Sequence, residues 1–218
     1  MNYVDISLDL ETWGTDPGDD IRSIGAVVFN LNNPDVPSEF PLTTADHADP
    51  LFYYACENPE IYISGDPKNK ESWGRKYNLK RNPKTEQWWA DQPEDARAAF
   101  KNPIDLKEAL IKLTQFIGRY SRDIRYGQAV DVRIWTHGKV FDLPILAAAY
   151  QACDLLVPWY YRAPRDTRTA FDFGRVGDHT EWLKAHNCGT LHHALYDAIS
   201  QAKAITHAYQ RTRFTTEA

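Results

Sequence analysis

Tyr3-Val4-Asp5-Ile6-Ser7-Leu8-Asp9-Leu10-Glu11 opens the chain with apolar and polar residues in alternation. That period belongs to a strand with one face against a core. Asp9 and Glu11 stand two apart, so on a strand both carboxylates point to the same face. Two such groups repel, and each resists ionising unless a cation neutralises it. A divalent ion does this, and oxygen-only ligands favour a hard one such as Mg²⁺ or Mn²⁺. Taken alone, the pair reads first as two solvated acids on an edge strand. The rest of the chain decides between these readings.

After this first strand, about 3–10, comes a turn, Gly14-Thr15-Asp16-Pro17-Gly18-Asp19. A second strand, Ile21 to Asn30, is close enough to pair antiparallel with the first. A third strand is expected within Leu51 to Glu57 and a short one near Ile61-Tyr62-Ile63. Thr85 is a candidate cap for a helix through Glu86-Gln87-Trp88-Trp89, and Pro93 opens a short second helix through Phe100. Asp105 caps a longer helix in which Leu106, Ala109, Leu110, Leu113, Phe116 and Ile117 recur at helical spacing. Val132 to His137 reads as a buried strand, and a helix over about 142–153 follows. A further strand is expected around Val157 to Tyr161, and an Ala-rich helix from Thr190 to about Gln210. A hairpin meander followed by alternating helix and strand is a mixed α/β sheet with helices packed on it. The whole chain, 1–218, reads as one domain. A basic insertion at about 64–84 carries Lys68, Lys70, Arg75, Lys76, Lys80, Arg81 and Lys84, with Trp73 and Tyr77 between them. It is either a solvated surface loop or an arm that holds phosphates.

Composition narrows the function classes. A net charge of −5 argues against a protein that coats duplex nucleic acid by bulk charge. It leaves room for an enzyme acting on nucleic acid, whose metal-binding acids add negative charge. Seven Trp and 12 Tyr supply large core side chains or platforms for bases. Cys56, Cys153 and Cys188 form no C-x-x-C pair, which excludes zinc-ribbon and thioredoxin-type readings and fits a reducing cytoplasm. The N-terminus lacks a basic n-region and a long apolar core, so no signal peptide is expected. No stretch of about 18 apolar residues occurs, so no membrane span is expected either.

Three more positions give Asp9 and Glu11 a context. Asp142, in Trp135-Thr136-His137-Gly138-Lys139-Val140-Phe141-Asp142, follows a buried strand and a short turn, at a helix start that favours its ionised form. Alone it is an ordinary helix cap. His192 and Asp197, in His192-His193-Ala194-Leu195-Tyr196-Asp197, are five apart; they face one site if His192 sits in the first turn. D-x-E near the N-terminus, F-D after a middle strand and H-x-A-x-x-D on a late helix resemble the three motifs of the DEDDh (DnaQ-like) 3′–5′ exonucleases. That superfamily includes polymerase proofreading exonucleases, RNase T and oligoribonuclease. The likeness covers residue 3 to about 205. Asp9-Leu10-Glu11-Thr12-Trp13-Gly14, Arg22-Ser23-Ile24-Gly25-Ala26, Thr85-Glu86-Gln87-Trp88-Trp89-Ala90-Asp91-Gln92 and Arg165-Asp166-Thr167-Arg168-Thr169 are further similar to a small bacterial and phage 3′–5′ exoribonuclease family, sometimes labelled exodeoxyribonuclease VIII-like. Where many superfamily members carry Asn before the second-motif Asp, this chain has His137-Gly138.

The resemblance implies an RNase H-like α/β fold with a mixed five-stranded central sheet flanked by helices. It implies hydrolysis of single-stranded RNA or DNA from the 3′ end, RNA slightly favoured, with two Mg²⁺ or Mn²⁺ ions. Asp9, Glu11, Asp142 and Asp197 would hold the ions and His192 would be the general base. Neutral imidazole suits that task near pH 7. Thr12, Trp13 and Gly14 would meet the terminal nucleotide, Trp88 would stack on a base, and Arg165 and Arg168 would grip phosphates. Related enzymes are often homodimers, and a homodimer is carried as an expectation. The alternatives are an RNase H-like endonuclease, which does not need His192, and an inactive nucleic-acid-binding module on the same scaffold. A zinc hydrolase is disfavoured, because His137, His192 and His193 lack H-x-x-x-H spacing.

Overall fold

The N-terminal alternation forms β1 (Tyr3–Thr12), which turns back into β2 (Ile21–Phe29). The two pair antiparallel, with Asp9 opposite Gly25 and Glu11 opposite Ser23. The computed structural model describes residues 3–32, 49–123, 128–129, 131–187 and 189–214; Cys188 lies outside them. β3 (Leu51–Glu57) continues the meander, followed by β4 (Glu60–Tyr62) and β5 (Trp73–Arg75). Then come α1 (Pro83–Ala90), α2 (Glu94–Ala98), β6 (Ile104–Asp105), α3 (Leu106–Tyr120), and the small pair β7 (Arg122–Asp123) and β8 (Gln128–Ala129). The C-terminal half holds β9 (Asp131–Thr136), α4 (Asp142–Ala152), β10 (Pro164–Asp166), α5 (Thr167–Phe173), α6 (His179–Ala185) and α7 (Ala194–Phe214).

The central sheet has the order β10-β9-β1-β2-β3-β6. β1, β2 and β3 run antiparallel, while β9 and β10 join β1's flank in parallel. This is the mixed, helix-flanked sheet expected, with six strands instead of five. The sixth, β6, pairs over only two residues, too few to leave an alternation in sequence.

Period two divides the sheet into two faces. Ile6, Leu8 and Leu10 of β1 and Ile24, Ala26 and Val28 of β2 pack with α3 and α4. The stripe read on α3 is buried throughout, and burial of each large side chain contributes about 1.5–3 kcal/mol. Val27 and Phe29 pack on the opposite face with α5 and α7. Asp5, Ser7, Asp9 and Glu11 therefore face α7. Among the described residues no helix is long and apolar enough to cross a membrane.

Several local expectations need correction. Asn82, not Thr85, caps α1: its side chain accepts from Lys84 N, and Pro83 takes the first helical turn. The strand expected at Val157–Tyr161 is absent; Leu156, Tyr160 and Tyr161 are exposed there, and the edge strand is β10. Each of α5 and α6 is seven residues long, too short for a periodic signal. The late helix begins at Ala194, because His192 before it has φ 59°, outside the helical region. The basic insertion is no open loop. Tyr77 and Leu79 join the main core, and β4 and β5 pair into a hairpin.

Candidate active site

β1 presents Asp9 and Glu11 to α7, and Gly25 determines how near α7 can come. A Cβ at Gly25 would lie 2.2 Å from both Ala194 C and Leu195 N, so the first turn of α7 rests on the sheet where only glycine fits. Gly25 is the register partner of Asp9. That contact delivers His192, just before the helix, and Asp197, in its first turns, to the two carboxylates. One ligand atom each from Glu11, His192 and Asp197 lies within 4.8 Å of the others.

Asp142 arrives from the other flank. The β1–β9 ladder ends at Ser7 opposite Trp135, and beyond it the strands part. Leu10 N–H donates instead to Asp142 Oδ1 at 3.3 Å, which fixes the first residue of α4 beside β1. Asp9, Asp142 and Asp197 line one cavity of about 540 Å³, shared with Leu10, His137, Arg168 and Gln201. It opens where parallel strands separate at their carboxyl ends, the usual place for a ligand in open α/β sheets.

The electrostatics are those of an uncompensated acid cluster. Burial raises Asp9 well above the ordinary carboxylate range, and Asp142, Asp197 and Glu11 add to the shift. Burial raises Glu11 likewise, with Asp197 next and Arg22 opposing. Burial pushes Asp142 up to about 7 and Asp197 up to about 6. Backbone N–H groups of His192 and His193, with the Asn187 amide, restrain Asp197. Among the described residues no ion pair within 4.0 Å engages any of the four. Such a set of oxygens fits hard divalent cations, which would remove the repulsion.

His192 is half-buried, and burial lowers its pKa, so the ring is neutral near pH 7. Trp88 meets it edge-on at 5.0 Å between centroids, and Trp89 at 6.2 Å. The adjacent tryptophans differ as their 100° separation on a helix requires. Trp89 is 2% exposed and donates from Nε1 to Thr12 O, whereas Trp88 is 42% exposed. Thr12 Oγ1 donates to Gly14 O at 2.5 Å, which closes the turn after Glu11. Trp13 lies beneath two guanidinium groups, Arg22 at 4.5 Å and Arg81 at 4.3 Å.

Thus Asp9, Glu11, Asp142, His192 and Asp197 are brought together; Trp88 meets His192, while Thr12, Trp13 and Gly14 follow Glu11 in the chain, with Thr12 and Gly14 buried. Arg168 also reaches the cavity, its guanidinium carbon 3.4 Å from the place of a Cβ on Gly138. Arg165 does not. Its Nη1 donates to Arg162 O and Pro164 O, and it lines a separate cavity beyond α5 with Trp135 and Phe173.

Three residues at the site were not read from sequence as part of it. Gln201 is 3% exposed and donates from Nε2 to Asp9 Oδ1 at 2.8 Å; its place four residues after Asp197, on the same helical face, was the available signal. Arg22 lies over Trp89 and Phe100 as well as Trp13, near Glu11. His137 stands in the cavity with Nδ1 3.0 Å from Thr167 Oγ1, and burial, with Arg168 and His179, pushes its pKa down to about 4.

Comparison with known proteins agrees with this geometry. The sequence model of the 3′–5′ exoribonuclease Rv2179c-like domain matches residues 4–209. The nuclease domain of 3′hExo, a DEDDh family member solved bound to rAMP, superposes with a TM-score of 0.57 at 13% identity, covering 100% of this chain and 94% of that one. E. coli exonuclease I, solved with a 5cy-dT13 oligonucleotide, gives 0.55 at 13% identity, covering 100% of this chain and 44% of that one. At that identity the structural likeness speaks for the fold. No curated protein sequence matches the chain.

Proposed function

The chain belongs to the 3′–5′ exoribonuclease Rv2179c-like domain family, and from that premise we propose how its site carries out metal-dependent 3′–5′ exonuclease hydrolysis. In this reading the whole chain, 1–218, acts as one exonuclease domain. Asp9, Glu11, Asp142 and Asp197 hold two divalent ions, Mg²⁺ or Mn²⁺. The carrying observation is the convergence of Glu11, His192 and Asp197 within 4.8 Å, beside Asp9 and Asp142 in one cavity and with no ion pair within 4.0 Å to any of the four carboxylates among the described residues.

Ions bound there supply a more acidic water and neutralise charge on the phosphate and the leaving oxygen. The chain does the rest. Neutral His192 accepts the proton of the attacking water, whose oxygen forms the new bond to phosphorus. The bond from phosphorus to the preceding 3′-oxygen breaks, that oxygen takes a proton, and a nucleoside 5′-monophosphate leaves. The turn at His192 and the edges of Trp88 and Trp89 orient the imidazole. Gln201 holds Asp9 by Oδ1, and Leu10 N–H holds Asp142. Thr12, Trp13 and Gly14 bound the terminal nucleotide, Trp88 offers a base its exposed ring, and Arg168 grips a phosphate. Arg165 has no part in this version, since its guanidinium is committed to backbone carbonyls.

RNA is the favoured polymer, which the family's description supports. The setting is the reducing cytoplasm, consistent with two buried free thiols, Cys56 and Cys153. A homodimer belongs to the proposal through the exposed apolar flank of Leu156, Tyr160 and Tyr161, and light scattering tests it. The function is tested by digesting matched single-stranded RNA and DNA, free or blocked at the 3′ end, in chelator and then in Mg²⁺ or Mn²⁺. The expected result is stepwise loss of mononucleotides from free 3′ ends, in metal only and faster on RNA. Internal cuts in blocked strands would instead favour an endonuclease.

A further inference from the structure

The hairpin of β4 and β5 is joined through its returning chain to the loop between β1 and β2. The chain returning from it is stitched to the turn after Glu11: Lys80 N–H donates to Gly18 O, Asp20 N–H to Lys80 O, and Asn82 N–H to Trp13 O. Below, Tyr77 and Leu79 are buried, and the cations of this foot serve the fold. Lys76 pairs with Asp105, Arg81 with Asp20 and Arg75 with Glu60. These hydrogen bonds and ion pairs anchor the foot, and the foot sets the direction in which the hairpin leaves.

The tip is built differently. Tyr62 and Trp73 are cross-strand partners with ring centroids 5.9 Å apart and planes at 73°. Their polar atoms are satisfied within the arm, since Tyr62 Oη donates to Gly65 O and Trp73 Nε1 to Pro67 O. The two residues stay 47% and 42% exposed. They are large apolar surfaces fixed in place and not covered by the described residues, so a partner that stacks on them meets little ordering cost. Lys68 and Lys70 stand in the segment between them, exposed and without an ion pair among the described residues, as are Lys80 and Lys84 at the foot. The arm's acids Asp66 and Glu71 accept from Lys68 N and Asn69 Nδ2 and stay exposed. On a chain of net charge −5 these four lysines outnumber the two exposed acids, so tip and foot together are locally positive and complementary to a polyanion whose units carry flat rings.

We propose that the β4–β5 arm is a binding site for the body of a single-stranded nucleic acid, upstream of the 3′-terminal nucleotides held at the acid cluster. A base stacks on the Trp73 ring, with Tyr62 standing at 73° beside it, and Lys68 and Lys70 meet neighbouring phosphates. The arm thereby makes the enzyme prefer longer strands to dinucleotides. This rests on the exonuclease reading, because the strand's polarity is taken from it.

The test compares wild type with Trp73→Ala, Trp73→Phe and Lys68→Glu/Lys70→Glu. Binding of a fluorescein-labelled single strand of about 12 nucleotides is followed by anisotropy in chelator, where nothing is cut. Hydrolysis of that strand and of a dinucleotide is then measured in Mn²⁺. Expected for Trp73→Ala is binding weakened about 5- to 100-fold, the scale of one lost stacked base, with Trp73→Phe restoring most of it. For the lysine pair, the slope of log affinity against log salt should shrink by about 1.4. Dinucleotide hydrolysis should be unchanged in every variant. Affinity and salt slope equal to wild type in all three would overturn the arm. So would an equal loss on dinucleotide and long strand, which would mark a folding defect or a role in the catalytic centre. Failure of wild type to cut any strand would count against the exonuclease reading, while the anisotropy result would still decide the arm.

Discussion

Asp142→Asn should stabilise the metal-free protein at high pH and destroy its response to divalent metal. Asp142 is 2% exposed, and burial pushes its pKa up to about 7 from 3.8. A carboxyl whose folded pKa is raised binds its proton more tightly in the folded state. Its favourable contribution is complete below the unfolded value and is lost as pH rises through the folded one. About three pKa units at 1.36 kcal/mol each make the ionised side chain cost up to about 4 kcal/mol above pH 7. Asparagine keeps the shape and the acceptor for Leu10 N–H, so the exchange removes charge and little else. At pH 8 in chelator the variant should be more stable by about 2–4 kcal/mol, or roughly 5–15 °C in Tm for a chain of this size. At pH 5, between the unfolded and folded values, the difference should shrink to about 1.5 kcal/mol, and it should vanish only below about pH 4. Adding Mn²⁺ at pH 8 should reverse the order, because wild type gains by linkage and the variant lacks a ligand. Differential scanning fluorimetry over this grid, checked by urea denaturation, reads all four corners. A variant less stable than wild type in chelator at pH 8 would refute the view of Asp142 as an uncompensated charge.

His192→Ala should lower kcat by about 10²–10⁴-fold, the usual scale for a lost general base, with Mn²⁺ affinity changed far less; near-normal turnover in single-turnover assays would remove the proposed base. Gly25→Ala should cost about 1–3 kcal/mol by urea denaturation, since its methyl meets α7 backbone at 2.2 Å, and should reduce activity at temperatures where the variant is still folded. Unchanged activity would mean that α7 need not sit so close. Gln201→Lys places an ammonium beside Asp9; it should raise Tm in chelator at pH 8 and weaken Mn²⁺ binding by more than about 10-fold in calorimetry, and wild-type affinity would contradict an external cation at Asp9.

The strands and the acid pair were legible because each is written locally. β1 alternates, α3 carries a buried stripe, and Asp105 caps it from the preceding residue. Asp9 and Glu11 share a face by period alone, and Asp142 stands where a strand hands over to a helix. His192 was harder to place, since the backbone reverses before α7 at a non-glycine residue with φ 59°. The Gly25 contact joins positions about 170 residues apart, and nothing local to Gly25 separates it from any strand glycine. Arg165 and Arg168 sit three apart in one run, yet Arg165 is captured by carbonyls of its own loop while Arg168 enters the cavity. The sixth strand, α5 and α6 were too short for a period to build.

Other buried acids in this fold show what the cluster lacks. Asp5 lies on the same face of β1 as Asp9, four residues earlier, and Arg133 grips it through Nε at 2.7 Å while Trp135 donates to it from Nε1. Asp20, fully buried near the end of the same hairpin, has Arg81 at 3.1 Å. Supplying a counter-charge to a buried carboxylate is therefore within the reach of this sheet. At Asp9, Asp197 and Asp142 the side-chain oxygens take amide donors instead, from Gln201, Asn187 and the Leu10 backbone, and Arg168 acts on Asp142 only from beyond ion-pair distance. These donors orient the oxygens without neutralising them. Arg22, the cation that does act on Glu11, stands outside ion-pair distance, over the rings of Trp13, Trp89 and Phe100. A fold selected only for stability would have no reason to keep four crowded carboxylates unneutralised, because removing one charge relieves several repulsions at once. The arrangement makes physical sense when positive charge arrives from solution, which ties the crowding of these carboxylates to the divalent cations proposed to bind there.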